Sequence, residues 1–130
     1  MSMVLSSAVF DTVSKQDFLH FFPNDRLQAR EVVDFLHFKK EDVSRATGVP
    51  SVSIRYDEKM PEELEQRVTE WAHLFNLVAQ HFKGDGHKTA AWFAMSNPLL
   101  GYFAPRDMIR IGRYKKLLKF IMNALAETKR

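Results

Sequence analysis

The chain is 130 residues long, the scale of one domain with a single buried core. Its 45% hydrophobic residues, 11 phenylalanines among them, and its 27% charged residues exclude both a core-less disordered chain and a membrane-resident one. The absence of cysteine excludes a disulfide framework and thiolate metal sites.

The opening stretch MSMVLSSAVFDTV has no basic region and only a short apolar run broken by serine, so neither a signal peptide nor a spanning helix is expected, and the chain reads as cytoplasmic. The net charge of +3 is unevenly spread: residues 1–83 carry 10 Lys+Arg against 13 Asp+Glu, and residues 84–130 carry 9 against 3. A basic block of this kind is either a solvated helix face or a surface that steers an acidic partner or nucleic acid.

Strand-type alternation and internal repeats are absent, which predicts an all-α fold of helices joined by short loops. Ser14 with Asp17 resembles a capping box ahead of FLHFF, predicting a short helix ended by Pro23 and Asn24. A second helix is predicted from Asn24 or Asp25 to about His37, with Leu27, Val32, Val33, Phe35 and Leu36 on its apolar side. The stretch FKKEDVSRATGVPSVSIRYDE reads as helix, tight turn, helix: Val43 and Thr47 face inward, Gly48 permits a positive backbone angle, and Pro50 or Ser51 opens the second helix.

Pro61, followed by Glu62 and Glu63, starts a long helix predicted to reach about Phe82. Leu64, Val68, Trp71, Ala72, Phe75, Val78, Ala79 and Phe82 recur along it at spacings of three and four, making it the spine of the fold. Gly84, Asp85 and Gly86 break it where the charge balance changes sign, and read as a hinge. Beyond lie a short helix at HKTAAWFAM, a turn at SNPLLG, the short helix PRDMIR from Pro105 to the stop at Gly112, and a final amphipathic helix marked by Tyr114, Leu117, Leu118, Ile121, Met122 and Leu125.

The run WFAMSNPLLGYFAPRDMIRIGRYKKLLKFI, residues 92–121, resembles the toxin-binding signature of the Xre/MbcA/ParS-type antitoxin family: Trp, a short gap, Asn-Pro, Leu-Gly, Pro-x-Asp, Gly, then an amphipathic helix. The matching positions are Trp92, Asn97, Pro98, Leu100, Gly101, Pro105, Asp107, Met108, Gly112, Tyr114, Leu117, Leu118 and Ile121. One departure is Tyr102, where the family's usual pattern has a second Gly, so that this loop takes a different turn or presents an aromatic to a partner. Another is Ala124, in place of a later Gly, which lets the final helix continue.

The resemblance implies an all-α protein with an Xre-like helix-turn-helix part and a small helical C-terminal module, without enzymatic activity or cofactor. Its implied role is that of an antitoxin in a type II toxin–antitoxin pair, blocking the active site of a cognate toxin, commonly a RES-domain enzyme that consumes NAD. The implied partners are that toxin, a second copy of the chain and operator DNA for autorepression. Toxin contact is expected after residue 104, at Arg106, Arg110, Arg113, Tyr114, Lys116, Lys119 and Arg130, whose cations suit an acidic mouth. Trp92, Asn97, Pro98, Gly101, Pro105, Asp107 and Gly112 are expected to hold the platform, with Trp92 a core anchor and Asp107 a local cap.

For DNA, Ser51, Ser53, Arg55 and Tyr56 on the second helix of the motif are the candidates. The charge there argues against a strong reader, because Lys39, Lys40, Arg45 and Arg55 are cancelled by Glu41, Asp42, Asp57 and Glu58. The five histidines, at 20, 37, 73, 81 and 87, lack metal-ligand spacing; GDG lacks the Lys-Ser/Thr of a phosphate loop; no serine sits in a nucleophile elbow. The division expected is a 1–24 arm, a 25–83 helix-turn-helix domain and an 84–130 toxin-binding domain. The alternative reading is a transcriptional regulator whose C-terminal segment only dimerises.

Overall fold

The computed structural model describes residues 16–128, and within them six α-helices: α1 (Ala29–Phe35), α2 (Lys40–Thr47), α3 (Glu62–His81), α4 (Gly86–Ala94), α5 (Pro105–Arg110) and α6 (Tyr114–Thr128). Three single 3-10 turns accompany them, Pro23–Asp25 before α1, Ser51–Ser53 between α2 and α3, and Pro98–Leu100 between α4 and α5. No strand occurs among the described residues, so the all-α reading holds there. No helix among them is long and apolar enough to cross a membrane.

The spine is α3, as its period predicts. Leu64, Val68, Trp71, Ala72, Phe75, Val78 and Ala79 are all buried, and Leu74 and Leu77 join them. Burial on more than one face follows from its position, since α1, α2, α4 and α6 all pack on it. Aromatic rings fill the centre: Phe35 stacks on Phe75 at 4.9 Å, Phe93 meets Phe75 edge-on at 4.7 Å, and Phe21 meets Phe35 edge-on at 5.7 Å. Edge-to-face and offset pairs at these separations add to the energy of burial.

One hydrophobic cluster therefore runs from Phe21, in the segment before α1, to Ile121 on α6. The break after α3 ends the helix in a left-handed turn: Lys83 has φ 57° and Gly84 φ 84°, and the Gly84 amide donates to the Ala79 carbonyl at 2.7 Å. Asp85 then caps α4, its carboxylate accepting from the Lys88 amide at 3.0 Å.

Two predicted helices are absent. The FLHFF stretch is a turn, although Ser14 of its expected capping box lies outside the described residues. The reason is the Asp17 carboxylate, which accepts from the amides of Phe21 at 2.8 Å and Phe22 at 2.7 Å and from the Asn76 side chain at 3.1 Å. Side-chain acceptors of this kind compete with the helical ladder for the same amides. Asn76, itself buried on α3, accepts from the Leu19 amide at 2.9 Å, so one asparagine pins this segment to the spine. The helix predicted from residue 24 or 25 starts only at Ala29, because Asn24 and Asp25 both hold positive φ.

The second correction concerns the stretch after Gly48. The first half forms as read: α2 carries buried Val43, and Gly48 at φ 80° closes it with a 2.8 Å bond to the Ser44 carbonyl. The second helix is replaced by the single turn Ser51–Ser53, after which Ile54 is extended. Val52 is 96% exposed and Ile54 buried, so no apolar stripe supports another turn, and serine and valine are weak helix formers. Asp57 then organises its own turn, accepting from the Lys59 amide at 3.0 Å and the Met60 amide at 2.9 Å.

Candidate functional site: an apolar loop beside a basic helix

The loop between α4 and α5, Met95 to Phe103, is built around Asn97. The residue before proline is forced out of helical geometry, and Asn97 accordingly sits at φ −125°, ψ 117°. Its side chain accepts from the Leu99 amide at 2.9 Å, capping the Pro98–Leu100 turn. Its carbonyl accepts from Leu100 and Tyr102, both at 2.9 Å, and its own amide donates to the Phe103 carbonyl at 3.1 Å. One residue thus fastens both arms of the loop.

Gly101 and Tyr102 turn the chain with φ of 68° and 70°. The left-handed region costs a residue with a Cβ about 1 kcal/mol or more. Tyr102 occupies it at the position where the resembled pattern has glycine, and the residue is 72% exposed. Leu99 is 79% exposed, and Met95, Phe103 and, at the end of α5, Ile111 are also exposed large apolar residues. Beneath the loop Ala104 and Pro105 are buried and anchor the start of α5. The outcome is a rigid loop that turns apolar side chains outward, at a cost in water that contact with a protein surface would recover.

The basic residues follow directly. Arg106 is half-buried, while Arg113, Lys116 and Lys119 are exposed along α6 and the turn before it. Arg110 is engaged: its guanidinium pairs with Asp107 one helical turn earlier, while its Nε, shielded from solvent, has no hydrogen-bond partner among the described residues. Asp107 is accordingly an ion-pair partner, and the residue at the N-terminal cap of α5 is Ala104. Gly112 at φ 83° stops α5, with its amide on the Ile109 carbonyl at 3.0 Å and the Arg113 amide on that of Met108 at 2.8 Å.

Tyr114 is half-buried and faces inward, its hydroxyl donating to the Glu70 carbonyl at 3.1 Å and tying α6 to α3. Burial, and secondarily the charge of Glu70, push its phenol well above the ordinary range. Glu70, on the same patch, is raised chiefly by burial, opposed by Arg67 and Lys115. Arg130 lies outside the described residues. Trp92 is half-buried, edge-on to Phe93 at 5.1 Å, so the fully buried anchors are Trp71 and Phe93 instead.

The four DNA candidates do not share a helix. Ser51 and Ser53 bracket the 3-10 turn, and Arg55 is held by Asp57 through two hydrogen bonds. That pairing raises the Arg55 pKa and lowers the Asp57 pKa, each through the hydrogen bond first. Tyr56 is half-buried under the Arg30 guanidinium, 5.2 Å from its ring centre, and burial raises its phenol.

Sequence reasoning named the platform residues of the loop but not Met95, Leu99 and Phe103, nor Ile111 beyond it. The available signal was compositional: a turn carrying five large apolar residues where turn chemistry calls for polar ones. No protein-family model, curated protein or solved structure matches this chain.

Proposed function

We propose that this chain is a non-enzymatic inhibitor, an antitoxin that binds its cognate toxin through the Met95–Phe103 loop and the basic residues Arg106, Arg113, Lys116 and Lys119. The observation that carries the reading is the exposure of Met95, Leu99, Tyr102 and Phe103 on a loop locked by Asn97. Exposed aromatic and aliphatic anchors on a preorganised backbone are what dominate protein–protein affinity, and a cationic rim adds steering toward an acidic mouth. The resemblance of residues 92–121 supplies the class of partner, a RES-domain enzyme that consumes NAD.

The Xre-like helix-turn-helix belongs to the same proposal. It rests on α2 and the left-handed Gly48 turn, which fit the first half of such a motif. The clamped Arg55 and the single turn at Ser51–Ser53 weigh against direct base reading, so toxin binding is the primary role and operator binding, with dimerisation, the secondary one.

Co-expression with the product of the adjacent open reading frame tests the proposal. The wild-type chain should relieve the growth arrest that this product causes and should co-purify with it. Leu99→Asp with Tyr102→Asp, both on exposed side chains, should leave the fold intact and lose at least about tenfold in affinity, as removal of central anchors does. Arrest that persists with the wild type rejects the antitoxin; full relief by the double variant moves the contact away from the loop.

A further inference from the structure

At the C-terminal end of α3, three helices leave an open apolar groove of about 290 Å³ between them. Phe82 just after α3, Trp92 from α4 and Phe120 and Leu125 from α6 wall it, with Ala124 and His81 at its lip. All four walls are half-buried, and both lip residues are exposed. Each wall thus retains apolar surface that the other described residues leave uncovered.

Three lysines stand close in sequence to these walls. Lys83 follows Phe82, Lys88 stands one helical turn before Trp92, Lys116 stands one turn before Phe120, and all three are exposed. Nearby carboxylates are fewer: Asp85 is committed to the N-terminus of α4, and Glu127 is the acidic residue of α6. His81 is the polar side chain of the lining itself.

We infer that the groove between α3, α4 and α6 is a docking site for an amphipathic helix of a partner protein whose apolar stripe is flanked by carboxylates. A groove bounded by helices and nearly devoid of polar groups accepts apolar anchors spaced at three and four residues along one face of a helix. The volume suits a few such anchors. The lysines at its margins then meet the acidic flanks, setting orientation and raising the association rate. This goes beyond the antitoxin reading and does not depend on it, because the lining of the groove is distinct from the Met95–Phe103 loop, and Lys116 at its margin is the residue the two surfaces share.

The test uses the full chain and a panel of fluorescein-labelled synthetic helices of about four turns, with Leu or Phe at three- and four-residue spacing and Glu on both flanks. Fluorescence anisotropy should show saturable binding, weakened at least about tenfold when the flanking Glu are replaced by Lys. Ala124→Glu places a carboxylate at the exposed lip and should cost at least about tenfold, with an unchanged thermal melt. Lys83→Glu with Lys88→Glu should invert the preference toward the Lys-flanked helices, and Val52→Asp, on an exposed side chain outside the groove, should leave helix binding unchanged.

Binding by no helix of the panel, or equal binding to the wild type and Ala124→Glu, overturns the inference. Recruitment to phosphatidylglycerol vesicles without peptide binding overturns it as well, by assigning the groove to a lipid surface.

Discussion

Tyr102 couples backbone strain to surface exposure. Its φ of 70° places a Cβ where the chain disfavours one, while the residue, 72% exposed, recovers little burial within the fold. Glycine would hold the same turn without that strain. Tyr102→Gly is therefore expected to be more stable than Tyr102→Ala by about 1 kcal/mol, because both lose the ring and only glycine relieves the backbone. Urea midpoints of the two variants measure this, and equal midpoints would remove strain from the account of the loop. Asn76 is the complementary case, a buried polar side chain with both ends used. Asn76→Ala leaves the Leu19 amide without its acceptor and removes one of the three donors to the Asp17 carboxylate, and should cost about 2 kcal/mol. The loss should be accompanied by faster hydrogen exchange at Leu19, which a simple cavity at residue 76 would not produce.

Among the elements, α6 is attached to the spine by apolar packing through Leu117 and Ile121 and by the hydrogen bond of the Tyr114 hydroxyl to the Glu70 carbonyl. The phenol's folded pKa is raised above its ordinary 10.0, chiefly by burial. A raised value means that the fold prefers the protonated form. Its contribution is fully present below pH 10 and is lost as rising pH ionises the phenol in the unfolded chain. Tyr114→Phe should accordingly be less stable than wild type by about 1 kcal/mol at neutral pH, from the lost hydrogen bond, and the gap should widen at no higher pH. It should narrow as pH climbs past 10, since phenylalanine has no proton to lose; paired urea titrations at the two pH values read the trend. The elements that were legible in the sequence are those with a clean apolar period, α3 and α6, and those with strong stop signals, such as the Gly48 and Gly112 turns. Residues 17–22 and 51–56 were misread for opposite reasons: in the first, Asp17 diverts the amides a helix needs, and in the second no buried stripe exists to stabilise one. The loop from Met95 to Phe103 was legible as a turn. Which of its apolar residues face outward was not, because that is decided by hydrogen bonds to Asn97 and by the two positive φ angles, neither of which has a period to read.

At the scale of the whole molecule, the charge division at residue 84 and the packing follow different boundaries. Charge divides the chain into an acidic first part and a basic second part. The apolar cluster crosses that line, since Phe93 from α4 lies against Phe75 of α3 and within 6.3 Å of Phe35 of α1, and Phe21 meets the same two rings from the segment before α1. A single core shared in this way couples the stability of every element that contributes to it. The consequence concerns the proposed docking loop directly: its rigidity is borrowed from Ala104, Pro105 and Met108, which are buried at the edge of that core. Phe93→Ala, although remote from the loop's surface residues, should lower global stability by about 3–5 kcal/mol and should raise hydrogen exchange in α1 and α6 alike. Circular dichroism and tryptophan fluorescence, the latter reporting Trp71 and Trp92 on either side of the charge boundary, should follow one coincident denaturant transition in the wild type and in the variant. Two separated transitions would mean that the residues after 84 fold as an independent module, and that the loop draws its order from α4, α5 and α6 alone.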